Sequence, residues 1–195
     1  SWGLSTRFVG AVIMTHGDDK GLVLPPRLAP HQVVIVPIYK QDAERTAVLE
    51  AAEQMRAALA DANVRVKLDA RDELTPGYKF NDWELRGVPL RIEIGPRDVA
   101  SGSAMLARRD VPGRDGKTVV AQSALVPAVV QLLETIQQAL YDKADAFQRA
   151  NTFTPRDYAE FQEIVAKGFA FAGWCGSAEC EARIKEETKA TSRCI

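Results

Sequence analysis

Cysteine is scarce in this chain, with three residues in 195, an odd number. That excludes a disulfide framework and fits a reducing compartment, so a cytoplasmic protein is expected. Long apolar runs are missing too. The longest, Val33 to Ile38, has only strand length, well short of the roughly 18 apolar residues a membrane-crossing helix needs. No secretory signal is legible. Neither charge is in excess: 25 basic against 26 acidic residues leave a formal net charge of -1. A generic nucleic-acid coat is strongly basic, so any RNA contact is expected to be local. There is no internal repeat.

What is present reads as an ordinary folded protein. The hydrophobic fraction is 46%, typical of globular chains, and the length allows one large or two small domains. Ser5 to Thr15 predicts a short, apolar, largely buried helix, with Gly17 ending it in the left-handed conformation glycine tolerates. Leu22-Val23-Leu24 predicts a short strand. Pro25, Pro26 and Pro30 make 25–31 a stiff connector and the best first boundary.

From Val33 onward strand and helix alternate. Val33 to Val36 is continuously apolar, as in a strand covered on both faces. Asp42 is placed to cap a helix in which Val48, Ala52, Met55 and Leu59 recur at helical spacing. Val64, Val66 and Leu68 alternate with Arg65 and Lys67, a half-buried strand. Tyr78 to Leu85 predicts a short helix. Leu90, Ile92 and Ile94 alternate with Arg91 and Glu93, which therefore share the opposite face. Two more strands, 102–109 and 117–121, flank a Pro112–Gly116 turn. A long helix with Val129, Leu132, Leu133, Ile136 and Leu140 on one face closes the unit. This order implies an α/β domain with a five-stranded mixed sheet flanked by helices. Beyond a second boundary at 151–155, the pattern predicts a helix over 157–167, a strand over 169–174 and a charged helix over 179–189. These make a small α/β piece with a thin core of its own, ending near the start of another strand.

Three groups of residues carry chemistry. Arg7 follows Gly3 at a helix start: glycine admits a close backbone approach, and arginine offers a forked cation to phosphate. Its plain alternative is a solvated helix arginine. His16, Asp18 and Asp19 match no compact metal motif and read as a turn with two solvated aspartates. The second group is Lys79, Phe80 and Glu84 with Arg91, Arg97 and Asp98. Between Arg71 and Lys117 there are nine basic and eight acidic residues, so no broad phosphate-binding patch exists. Such a mixture suits base edges. Arg donates twice to guanine, carboxylates accept from exocyclic amines and guanine N1, and Phe80 can stack on an unpaired base. The plain alternative is a Glu84–Arg91 surface ion pair with Trp83 in the core. Third, Cys175 and Cys180 are separated by four residues, within reach of one metal site, or are two free thiols.

Trp2-Gly3-Leu4-Ser5-Thr6-Arg7 together with His16-Gly17-Asp18-Asp19-Lys20-Gly21 and Leu22-Val23-Leu24-Pro25-Pro26 resembles motif 3 and its following loop in the class II prolyl-tRNA synthetases, the branch with a C-terminal extension. The likeness continues along the whole chain. It implies three parts: 1–30 as the end of a catalytic domain, 31–150 as an anticodon-binding domain, and 151–195 as a truncated zinc-binding-type domain. Ser1 is not an initiator methionine, and the chain is expected to be the C-terminal part of a longer enzyme. The resemblance implies that Arg7 is the motif 3 arginine on the ATP phosphates, with Gly3 near the adenosine, and that Mg²⁺ assists.

It further implies that Glu84, Arg91, Arg97 and Asp98 read the two anticodon guanines of tRNA(Pro), with Lys79 and Phe80 beside them. The family commonly has Lys where Arg97 stands. Cys175 and Cys180 correspond to the first half of a zinc site whose second half is absent, and Cys194 to no ligand, so no intact zinc site is expected here. Proline, ATP and tRNA(Pro) are the partners implied for a homodimeric parent, with no membrane or DNA partner. By itself this chain is expected to make no prolyl-adenylate. The rivals are a stand-alone tRNA-binding module and a threonyl or histidyl synthetase. The Leu22–Pro26 segment and the Cys175–Cys180 spacing argue against the last two.

Overall fold

The computed structural model describes residues 3–193. Two compact units divide between Tyr141 and Asp142.

The first unit is built on β1 (Val33–Pro37), every residue of which is buried. The sheet order is β2-β1-β3-β4-β5, with β2 at Val66–Leu68, β3 at Leu90–Ile94, β4 at Ser103–Arg108 and β5 at Lys117–Ala121. β1 pairs in parallel with β2 and β3, and β4 runs antiparallel to both β3 and β5. This is the mixed five-stranded sheet expected from the pattern. Its helices are α1 (Arg7–His16), α2 (Asp42–Asp61), α3 (Pro76–Leu85), α4 (Pro96–Ser101) and the part of α5 (Leu125–Ala150) up to Tyr141.

Strand alternation divides the sheet's side chains between two cores. Val33, Ile35, Leu90, Ile92, Ala104 and Leu106 pack with Val48, Leu59, Val129 and Ile136 of α2 and α5. Val34 and Val36 face the other way, against Trp83 and Phe80 of α3 and Val88. The continuous apolar run of β1 thus reflects coverage on both faces. Arg91 and Glu93, alternating with Leu90, Ile92 and Ile94, fall on the α3 side.

Local expectations are corrected at several points. α1 buries none of its residues; Phe8, Val9, Ile13 and Met14 are exposed, because no described element covers its apolar side. Gly17 is not left-handed but extended (φ -63°, ψ 157°). Glycine is required there because a Cβ would stand 2.6 Å from the Ile13 carbonyl oxygen. Leu22–Leu24 forms no strand: the Leu22 and Leu24 amides donate to the Leu85 and Gly87 carbonyls, an edge contact with the end of α3 rather than a ladder. Gly21 (φ +126°) makes that approach, and a Cβ would meet Leu85 Cα at 2.6 Å. The position before α2 is Gln41, without a side-chain cap; the side chain of Asp42 lies outside what is described. α4, between β3 and β4, is an element the pattern did not predict. The connector after Leu24 is fixed by Arg65, which donates to the carbonyls of Ala29 at 3.0 Å and Pro26 at 2.8 Å.

The second unit contains β6 (Thr152–Phe153), α6 (Tyr158–Val165), β7 (Phe169–Ala170) and α7 (Ala178–Thr188). β6 and β7 pair in parallel. Asp157 and Ser177 cap the two helices, each accepting from an orphan amide of the first turn. The strand expected over 169–174 shrinks to two residues, with Phe169, Phe171 and Trp174 exposed. Among its residues in the described core only Ile164 is buried, in keeping with the thin core expected. No described residue after α7 is in a strand.

Candidate nucleic-acid interface

The α3 side of the sheet gathers charge because strand register brings it together. Across three strands Arg91 faces Ala107, and Ala107 faces Lys117. The small central residue lets the flanking cations lean over it onto one carboxylate. Glu93 accepts from Arg91 Nη2 at 2.9 Å and from Lys117 Nζ at 3.0 Å. It is buried, and a buried carboxylate is tolerated when paired and hydrogen-bonded in this way.

Arg91 is thereby held from several sides. Its side chain is only 12% exposed, its guanidinium lies 4.1 Å from the centre of the Phe80 ring, and Glu84 stands 3.6 Å from Nη1. The last distance is too long for a hydrogen bond, so Glu84 pairs by charge while its carboxylate keeps acceptor capacity. Phe80 offers one ring face to the cation. The Glu84–Arg91 ion pair and the Phe80 ring are one arrangement: Phe80, Glu84 and Arg91 converge.

α3 is set at this height by Asp69, whose side chain is 1% exposed. Its carboxylate accepts from Trp83 Nε1 at 2.7 Å and from Arg71 at 2.6 Å. Burial pushes the carboxyl pKa up, but the bonds from Arg71 and Trp83 outweigh it and bring the value to about 2. Lys79, expected beside the anticodon, is buried here, with Nζ donating to the Asp69 carbonyl at 3.3 Å. It props the helix from below.

Arg97 and Asp98 open α4 and stand apart from the Arg91 cluster in bonding. The Asp98 carboxylate accepts from the Gly95 amide at 2.8 Å and so caps its own helix. Arg97 is exposed, with no partner for its guanidinium among the described residues.

Asp18 is the exposed turn residue that the sequence implies, accepting from the Lys20 amide at 2.9 Å, and it does more. Its carboxylate grips Arg109 through two bonds, 2.8 and 2.6 Å. The Arg109 bond dominates and lowers the Asp18 carboxyl to about 2. Arg109, with a side chain 5% exposed, also donates from Nε to the Glu84 carbonyl at 3.1 Å. Neither Glu93, Lys117 nor Arg109 was singled out from sequence as a site residue. Alternation put Glu93 on the Arg91 face, but the other two depend on cross-strand register and on an ion pair spanning 91 positions.

Arg7 begins α1, exposed and without a bonding partner among the described residues; Gly3 has open space around it. No described hydrogen bond or ion pair joins them to the sheet cluster. Arg7 is an open cation that fits a phosphate, but the described residues supply no other wall of a nucleotide site. Cys175 and Cys180 are close enough to influence one another. The Ser177 amide and then the Cys180 thiol lower the Cys175 pKa, while Cys175 raises that of Cys180. Two sulfurs are half of a tetrahedral zinc set, and among the described residues no group of three or more metal-binding side chains forms. Cys194 lies outside the described residues. The described residues therefore do not make a complete zinc site.

Residues 32–132, which hold all five strands, match the family model described as the anticodon binding domain. The chain belongs to the anticodon-binding domain family. Beyond that domain, residues 158–195 match a second model, described as prolyl-tRNA synthetase, C-terminal. The resemblance read from the sequence is borne out by both. Relatives named proline–tRNA ligase align with the entire chain: 56% identity in Roseiflexus castenholzii, 48% in Salinibacter ruber, and 54% in an Arabidopsis thaliana protein named as chloroplastic/mitochondrial. The chain spans 40%, 39% and 37% of their lengths, respectively. No helix among the described residues is long and apolar enough to cross a membrane.

Proposed function

We propose that this chain is the anticodon-recognising part of a proline–tRNA ligase, whose whole protein activates proline with ATP and Mg²⁺ and transfers it to tRNA(Pro) in the cytoplasm, as a homodimer. The observation that carries the reading is the Phe80–Glu84–Arg91 cluster, set on the α3 side of a sheet that matches the anticodon-binding family. Arg91 is oriented in advance by Glu93 and Phe80, so little side-chain freedom is lost on binding. Arg donors suit guanine O6 and N7, and the Glu84 carboxylate suits guanine N1–H and N2–H. Exposed Arg97 extends the same chemistry at the start of α4, while capping limits Asp98 to its remaining oxygen.

In the whole protein Arg7 would supply a fixed cation to the ATP phosphates, where charge redistributes as a carboxylate attacks. Cys175 and Cys180 would supply two thiolates to a zinc ion that stabilises the C-terminal domain.

Titrating the chain with a tRNA(Pro) anticodon stem-loop tests the reading. Arg91→Ala and Glu84→Ala should each cost about 1–3 kcal/mol with the cognate loop and much less with a loop whose anticodon guanines are replaced. Equal losses on both loops would overturn guanine reading by these side chains.

A further inference from the structure

Beside the Arg91 cluster lies a cavity of about 350 Å³, a size that holds a small ligand. It is bounded by the end of β4, the β4–β5 loop (residues 109–116), Lys117 and the turn that carries Lys20. Six of its lining residues are cationic and one, Glu84, is acidic. Four of the cations are already matched: Arg91 and Lys117 by Glu93, Arg108 by Asp110, Arg109 by Asp18. The Lys20 ammonium and the Arg114 guanidinium form no ion pair among the described residues; Lys20 acts only at a distance on Asp18, whose carboxylate is already bonded to Arg109. The matched cations build the wall; the unmatched pair leaves it with positive charge to offer.

The lip is preformed. In the β4–β5 loop the Lys117 amide donates to the Arg114 carbonyl at 3.0 Å, and the Arg108 amide to Gly116 at 2.9 Å. Gly116 packs so tightly that a Cβ would stand 2.1 Å from the Val111 carbonyl oxygen. Opposite, the Lys20 amide donates to Asp18, whose carboxylate is locked to Arg109. Both unmatched cations thus sit on loops whose backbones are fixed, sharing a rim with Glu84 and Arg91.

We infer that Lys20 and Arg114 clasp a phosphodiester of the RNA strand next to the bases read by Glu84 and Arg91. The inference rests on the anticodon reading proposed above. Base edges are planar and neutral, and the Glu84–Arg91 pair answers them. A strand passing that pair must carry its phosphates along the rim, where an unmatched ammonium and guanidinium await an anion.

Phosphate and base contacts are separable by salt. Each phosphate contact contributes a slope of about 0.7–0.9 to the fall of log affinity with log salt, whatever the base sequence. The 195-residue chain is titrated at several salt concentrations with the cognate anticodon stem-loop and with the guanine-replaced loop. Lys20→Ala and Arg114→Ala should each flatten the slope by that amount and weaken both loops by the same factor. Arg114→Lys should keep the slope and Arg114→Glu should flatten it further. Both side chains are exposed, and an unchanged melting temperature checks that the fold survives. If the wild type binds and Arg91→Ala loses discrimination, but neither Lys20→Ala nor Arg114→Ala changes the slope, the phosphate clasp is overturned and the anticodon reading stands. If the wild-type chain does not bind the stem-loop, both fall.

Discussion

Glu93 organises the charged face on which the proposed recognition rests. Its two oxygens collect Arg91 and Lys117 over the methyl of Ala107. Glu93→Gln keeps the shape and removes the charge, leaving two cations facing each other. The expected result is a loss of about 1–3 kcal/mol in stability by urea unfolding, with a drop in guanine discrimination because Arg91 is no longer aimed. A variant that loses stability but discriminates as well as wild type would assign Glu93 to packing alone. At this scale the sequence was half legible. Alternation placed Arg91 and Glu93 on one face, since a strand has period two. It carried no information on which residues of β4 and β5 would lie alongside, because register is set by pairing between strands far apart in the chain.

Among the elements, α3 depends on a single buried carboxylate. Asp69 holds Trp83 and Arg71, and its pKa falls from 3.8 to about 2 on folding. A lowered carboxyl pKa contributes stability that is complete above the unfolded value and lost as pH falls through the folded one. That amounts to about 2 kcal/mol. Urea unfolding followed by circular dichroism at a series of acid pH values should show stability falling between about pH 4 and pH 2, and Asp69→Asn should remove that portion of the slope. The long elements, β1, α2 and α5, were legible because their apolar periods run for many residues. α4 was not: six residues starting Pro-Arg-Asp show no apolar period, and only the Gly95–Asp98 cap betrays it. α1 was legible as a helix but not as an exposed one, since an apolar stripe predicts that something covers it and not what. Leu22–Leu24 looked like a strand because its amides do find carbonyls, only those of a helix end instead of a ladder.

Across the molecule, the two units differ in how they hold together. The first has a two-sided sheet and a large apolar core, while in the second Ile164 is the one residue in the described core. Within the first unit the boundary suggested by Pro25 to His31 separates residues that the structure binds together. Arg65 ties down the connector from below, and Asp18 reaches across it to Arg109. This has a practical consequence for anyone cutting the gene to isolate the sheet domain alone. A truncation beginning at His31 keeps every described strand, yet among the described residues it removes the only acid bound to a guanidinium that is 95% hidden. Arg109 would be stranded with its charge uncompensated, at a cost on the order of 3 kcal/mol, and the Glu84 carbonyl it holds would loosen with it. The shortened product should therefore melt well below the full chain, and Arg109→Met in the same truncation should recover much of the loss. If the two lengths melt together, the segment before the connector is dispensable.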